Sequence, residues 1–494
     1  MSSLHPPSLG DASSVQVALG AALATAMAYK LLVSPWLEPP PHERYAAMNG
    51  LKDVKVARRL KQSSLLLGDM PELQRNMHRF NDWIHDKTLE CDEQPWILHV
   101  PTQPDTMVIA SPALIEDITK TQNDIFGKGD DQREMLSDLA GYGISIADGK
   151  IWYHQRKVAS KFFSARMFRD VATRIINKHA NCIFDVLAAT YKTGKELNFT
   201  SLLHQFTLQT FAELGFGLDM HAIDEAESLK LEQAFDKAFP QVLRRVQTPT
   251  WLWKLKRYLG IGSEGEYRKT TQYLRQFVSG MISKSIEKIR TEGERKEAAT
   301  IVELFIHAMQ DGEADFPPER LCDIAMVFVL GGRDTTADTL NWLFYMLSKH
   351  PDETLRLYPV LPQNGRQASR DTVLSDGTFV PQGTVMALAT YAMGRLESIW
   401  GEDAAEFKPE RFIDETTGKL KVFSSYKFFS FHAGPRVCIG LSLAMLEMKL
   451  FIASLLSRFR LDTAPNDGQY DFSFLMPLKD PLLVRVRPAS SSAP

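Results

Sequence analysis

Phe431 to Gly440 reads FHAGPRVCIG and runs straight into LSLAMLEMKLFIASLL, Leu441 to Leu456, an apolar segment with the length of a helix. This junction restricts the chain to a tight loop that delivers a single cysteine, Cys438, to a helix start. Gly434 and Gly440 permit close backbone approach and unusual dihedrals, and Pro435 presets the turn. Such a loop presents backbone N–H groups to the sulfur, and the helix N-terminus adds a favourable dipole, so both act on the thiolate form. A lone cysteine is ordinarily a small buried hydrophobe. These neighbours make Cys438 a candidate ligand instead, and Arg436 adds a fixed cation suited to a carboxylate.

The rest of the chain bounds the setting. With 494 residues and 44% hydrophobic content it can bury a large core, and a net charge of −3 gives no support to a nucleic-acid partner. The four cysteines, Cys91, Cys182, Cys322 and Cys438, form no CxxC pair and match no zinc spacing; reduced thiols are expected, although two disulfides would also fit the count. VQVALGAALATAMAY, Val15 to Tyr29, with cations following it from Lys30 onward, reads as a signal anchor that holds the globular part on the cytosolic side. A cleaved leader and a buried N-terminal helix are the competing readings. The expected division is a tail over 1–12, a transmembrane helix over 13–37, a Pro-rich spacer over 38–44, a catalytic domain over 45–487 and a tail over 488–494. In the domain the periodicity is mostly helical, with strand-like runs at Trp96 to Ile109 and Val373 to Leu388. The fold class is mainly α with small β-sheets. There is no dinucleotide fingerprint and no P-loop, so the chain has no flavin, nicotinamide or ATP module of its own.

FHAGPRVCIG resembles the haem-binding loop F-x-x-G-x-R-x-C-x-G of the cytochrome P-450 family. The resemblance implies that haem b lies between a long central helix and the cysteine-loop helix, with Cys438 as its thiolate axial ligand and Phe431 and Gly440 as loop positions against the cofactor. LGGRDTTA, Leu330 to Ala337, looks like the family's oxygen-activation motif in a central helix expected from about Pro317 to His350. It casts Asp334 and Thr335 as the acid and alcohol that relay protons, with the helix opened at the glycines. WYHQR is similar to the family's W-x-x-x-R, which puts Trp152 and Arg156 with Arg436 at the propionates; Arg366 is a further candidate. E-x-x-R in ETLRLYP, with PERF, implies a structural triad of Glu353, Arg356 and Arg411 behind the cysteine loop.

In one place the chain departs from the family pattern. LSKHP, ending at Pro351, is followed at once by DETLRLYP, where family members carry further helices. Two helices are absent, and the ends of the flanking helices are expected to unwind to supply reach. FGKGDDQREMLSDLAGYGISIADGKIWYHQRK, WLWKLKRYLGIG and DGTFVPQGTVMALATYAMGRLESIWGEDAAEFKPERF resemble the branch that hydroxylates fatty acids at or near the ω carbon. That implies a fatty-acid substrate, dioxygen, an NADPH-dependent cytochrome reductase docking near Lys427 and Lys449, and an endoplasmic reticulum membrane location. WLWKLKR either rests on the membrane surface or turns both tryptophans inward. Two other functions stay open: a reductase-independent haem-thiolate isomerase or dehydratase, and a truncated chain that holds haem badly.

Overall fold

The computed structural model describes residues 39–64, 66–164, 167–220, 225–292, 300–311, 318–347 and 354–489. The expected anchor at 13–37, most of the spacer, and Glu353 lie outside the described residues. Among the described residues no helix is long and apolar enough to cross a membrane.

The chain divides into a small and a large unit, residues 1–56 with 371–382 and the remainder. In the small unit Lys55–Val56 pairs in parallel with Thr378–Val380, which folds back antiparallel on Thr372–Val373. The expected Asp-Gly turn closes that hairpin, with Gly377 at φ 90°. The following TVMAL segment is not its partner. Val385–Leu388 belongs to the large unit and pairs with Thr106–Ile109 and Asn364–Ala368.

The large unit is built around the central helix, Pro318–Leu347. Ile324, Ala325, Val329, Ala337, Leu340 and Trp342 put its apolar side in the core. The helix Thr173–Thr193 buries Ile176, Ala180, Ile183 and Leu187, the three-and-four spacing of one helical face, and ends on left-handed Gly194. Phe451, on the cysteine-loop helix Leu441–Arg458, has its ring 4.5 Å from Phe206 and 5.6 Å from Phe184, which ties three helices together. Asn198 is the N-cap of helix Phe199–Phe216 and accepts from Ser201 N–H at 3.1 Å. A six-stranded sheet, in the order Arg58–Arg59, Trp96–Leu98, Thr106–Ile109, Val385–Leu388, Asn364–Ala368, Phe126–Gly127, delivers Asn364, Arg366 and Lys128 to one edge of the core.

Two expectations need correcting. The central helix is not opened at the glycines: it runs unbroken through Gly331–Thr335, and the Thr335 hydroxyl donates to the Gly331 carbonyl at 2.5 Å, so the side chain satisfies the backbone beside it. The tryptophans of WLWKLKR do not share one fate. Trp253 is buried with the Arg245 guanidinium over its ring at 4.7 Å, whereas Trp251 is 59% exposed. At the junction, the E-x-x-R helix is described over Thr354–Leu357 and the central helix to Leu347.

Candidate functional site: a cysteine facing a glycine-threonine helix

The cysteine loop is shaped by contacts only its sequence allows. Gly434 has φ 66°, and a Cβ there would lie 2.1 Å from the Thr119 carbonyl oxygen, so glycine is required. Gly440 is different: its φ is −84° and a Cβ would meet the Cys438 sulfur at 3.9 Å, an ordinary contact. Its contribution is its N–H. Cys438 N–H donates to the Phe431 carbonyl at 2.8 Å, which closes the loop, and the Ser430 hydroxyl donates to the Leu355 carbonyl at 2.7 Å, which fixes the loop to the E-x-x-R turn.

The Cys438 thiol faces a cavity of about 380 Å³. Burial among protein atoms raises its pKa, while the Gly440 N–H, the Arg156 charge and the Leu441 N–H act in the opposite sense. The residue is nonetheless accessible, because its free surface opens into the cavity. Backbone donors to sulfur are thus present as the loop sequence implies. Gly331, Gly332, Thr335, Thr336 and Thr339 of the central helix also line the cavity.

Cations collect at one edge. Trp152, Arg156, Arg366 and Arg436, singled out in the sequence, all line the cavity, as does Phe431. Arg436 lies over the Trp152 ring at 4.2 Å and donates to Asp148 at 2.5 Å and to the Ala147 carbonyl at 2.7 Å. Arg366 is 1% exposed and donates from Nη1 to Asn364 at 2.7 Å, while its buried Nε has no acceptor among the described residues. Burial, with Arg436 nearby, lowers its pKa to about 10. Lys128 and His432 complete the group, and neither was anticipated. Lys128 Nζ shares Asn364 Oδ1 at 3.1 Å, His432 contacts the same amide, and burial holds both well below their usual pKa values. Lys128 stands in FGKGDD, and a lysine framed by glycines ahead of W-x-x-x-R was the available signal.

These residues fit a thiolate-ligated haem. The sulfur has N–H donors and the opposing wall is largely free of side chains at Gly331. Arg156, Arg366 and Arg436 outnumber Asp148, the carboxylate bound to Arg436, by two charges, the balance that two propionates would neutralise.

Asp334 does not line the cavity. It is buried against Arg333, and burial raises its pKa against the opposing Arg333 and His204 charges. His204 Nε2 lies 3.2 Å from Asp338 Oδ1, so Asp334 belongs to a polar cluster one layer behind Thr335. Arg356 and Arg411 converge on one segment. Arg356 donates to the carbonyls of Gly394, Ala404 (2.5 Å) and Glu406 (2.9 Å), and Arg411 to those of Trp400 (2.7 Å) and Asp403 (2.9 Å). Lys427 is partly buried over Trp400, its Nζ 4.7 Å from the ring, while Lys449 is exposed. Glu447 was read only as part of an apolar helix. It lines the cavity, 5% exposed, with Oε1 lacking a partner among the described residues, and burial pushes its pKa up to about 8.

Comparison with known proteins agrees with this geometry. The family model described as Cytochrome P450 matches residues 60–352 and 352–484, two stretches that meet at Asp352, where the sequence lacks helices. The chain is 31% identical over 443 residues to cytochrome P450 94B1 of Arabidopsis thaliana, covering 81% of this chain and 86% of that protein. It is 30% identical over 484 residues to cytochrome P450 CYP94D108 of Paris polyphylla, covering 88% and 93%. The crystal structure of the cytochrome P450DA heme domain superposes with a TM-score of 0.71 at 18% identity, covering 88% of this chain and 98% of that one, a likeness of fold. With its cysteine facing the glycine-threonine wall and cations gathered at the cavity edge, the chain belongs to the cytochrome P450 family, the haem-thiolate monooxygenases.

Proposed function

We propose that this monooxygenase hydroxylates medium- or long-chain fatty acids at or near the ω carbon, using dioxygen and electrons passed from NADPH by a separate reductase. The observation that carries the reading is the cavity wall. Away from the cation edge, Phe211, Leu214, Phe239, Phe328 and Phe474 enclose space that suits an alkyl chain end. The Phe239 and Phe474 rings are stacked 6.5 Å apart and narrow that side.

Bound haem supplies the oxygen-activating iron, with Cys438 as thiolate ligand. The protein's own residues do the rest. Lys128, Trp152, Arg156, Arg366 and Arg436 orient the group through its acid substituents. Thr335, whose hydroxyl rests on the Gly331 carbonyl, turns its oxygen to hold a proton or a water in the cavity. Asp334 recharges it from the polar cluster behind the wall. Arg356 and Arg411 brace the segment behind the loop. The chain is anchored by residues 13–37 in the endoplasmic reticulum membrane, where Trp251, Leu255, Tyr258 and Leu259, 46 to 85% exposed, rest on the lipid surface. The reductase docks on the face carrying Lys449.

The test is turnover of dodecanoate by the full chain with NADPH and a reductase, with products identified by mass spectrometry. Terminal or subterminal hydroxy acids are expected; dodecanoate left unchanged by a protein that carries haem would overturn the reading. The matched stretches meeting at Asp352 favour a second reading, a chain that retains haem poorly. A reduced, carbon monoxide difference spectrum without a thiolate-type band would establish it.

A further inference from the structure

A second cleft, of about 240 Å³, lies apart from the cysteine cavity. One wall is apolar: Met70 and Leu73, with Met77 beyond them. The other comes from helix Glu225–Val246, the residues that follow it, and helix Thr250–Leu259, and it is rich in donors. Trp253 is 2% exposed, and its indole N–H has no acceptor among the described residues. The buried amide nitrogen of Gln247 also lacks one. Arg244 and Lys256 add positive charge to the same lining. Glu264, the carboxylate of this wall, is already committed: Oε1 accepts from Gln241 at 2.8 Å and Arg245 at 2.9 Å, and Oε2 accepts from Arg245 at 2.6 Å. Leaving buried N–H groups unpaired is costly, so two of them on residues of one lining, beside two cations, point to an acceptor from outside the chain.

We propose that this cleft binds the carboxylate head of a lipid amphiphile, with the Trp253 and Gln247 N–H groups and the Arg244 and Lys256 cations on the head and Met70, Leu73 and Met77 along the first part of the tail. Where that amphiphile is the substrate, the proposal rests on the fatty-acid reading above. Phe239 lines the cysteine cavity and Arg244 the cleft, five positions apart on one helix, about 7 Å along its axis. At 3.6 residues per turn they also lie about 140° apart around it, so a chain anchored by its head in the cleft reaches the cavity by passing around this helix. The same head chemistry would also hold a separate lipid anion.

The test is equilibrium dialysis of the full-length holoprotein with dodecanoate and with methyl dodecanoate, which keeps the tail and removes the charge. The wild type is expected to prefer the acid by roughly tenfold or more, the effect of hydrogen bonds to a charged group. Arg244→Met with Lys256→Met should bring the preference to near unity, and Trp253→Phe, which keeps an aromatic ring and removes the N–H, should weaken acid binding more than ester binding. Retention of the carbon monoxide band shows that each variant is folded. An acid preference absent from the wild type, or unchanged in the variants, overturns the proposal. A parallel Soret titration separates the two sources: a loss matching the dialysis shows one molecule spanning both sites, and an unaffected Soret response shows a separate lipid. If the acid preference follows the variants while dodecanoate is not hydroxylated, the cleft stands and the substrate reading falls.

Discussion

Cys438 and Glu447 line the same cavity under opposite demands. The sulfur has backbone donors that act on its anion, so Cys438→Ser should abolish the thiolate-type band in the carbon monoxide difference spectrum while far-ultraviolet circular dichroism stays native. Glu447 is a buried acid whose pKa rises from 4.5 to about 8. The folded state therefore holds a proton that the unfolded chain has released. The stability associated with it is complete below 4.5 and is lost as pH rises towards 8. Glu447→Gln should flatten the decline in melting temperature across that window, measured by a pH series of thermal melts. Much of the site was legible in the sequence because W-x-x-x-R and the cysteine loop fix their own geometry locally. Lys128 and His432 were not, since their meeting at the Asn364 side chain depends on the pairing of Phe126–Gly127 with Asn364–Ala368, which brings residue 128 to the strand that the cysteine loop touches.

The central helix carries adjacent glycines with different duties. A Cβ at Gly332 would meet the Phe211 ring at 2.2 Å, whereas one at Gly331 would have nothing within 4 Å. Gly332→Ala is expected to cost about 1–3 kcal/mol through overpacking. Gly331→Ala should stabilise by up to about 1 kcal/mol through helix propensity while narrowing the cavity in front of the sulfur. Denaturant titrations of the pair measure the contrast. The place of this helix was expected from the resemblance of LGGRDTTA to the family's oxygen-activation motif. Its continuity was not: glycine content argued for an opening, and the Thr335 hydroxyl bond to the Gly331 carbonyl, with Phe211 packed against Gly332, is invisible to local propensity.

In the molecule as a whole, the junction between the central helix and the E-x-x-R turn is where the chain and its family part. Inserting, between Pro351 and Asp352, the corresponding segment of the Arabidopsis relative should raise both haem occupancy and melting temperature, read from absorbance and thermal melts. Equal occupancy with and without the insert would show that the short junction is sufficient. The gap itself was plain in the sequence, because LSKHP and ETLR are recognisable landmarks with almost nothing between them. The cleft beside Trp253 was not, since its donors come from two helices whose meeting no motif marks. Arg356 and Arg411 hold the segment from Gly394 to Glu406 largely by its carbonyl oxygens. Carbonyls are common to every residue type. Mutational drift can therefore rewrite the exposed side chains of that segment, Glu397, Glu402, Ala405 and Glu406, without loosening it, while the two arginines stay fixed together with Gly394, Leu396, Trp400, Asp403 and Ala404, which pack or pair inward.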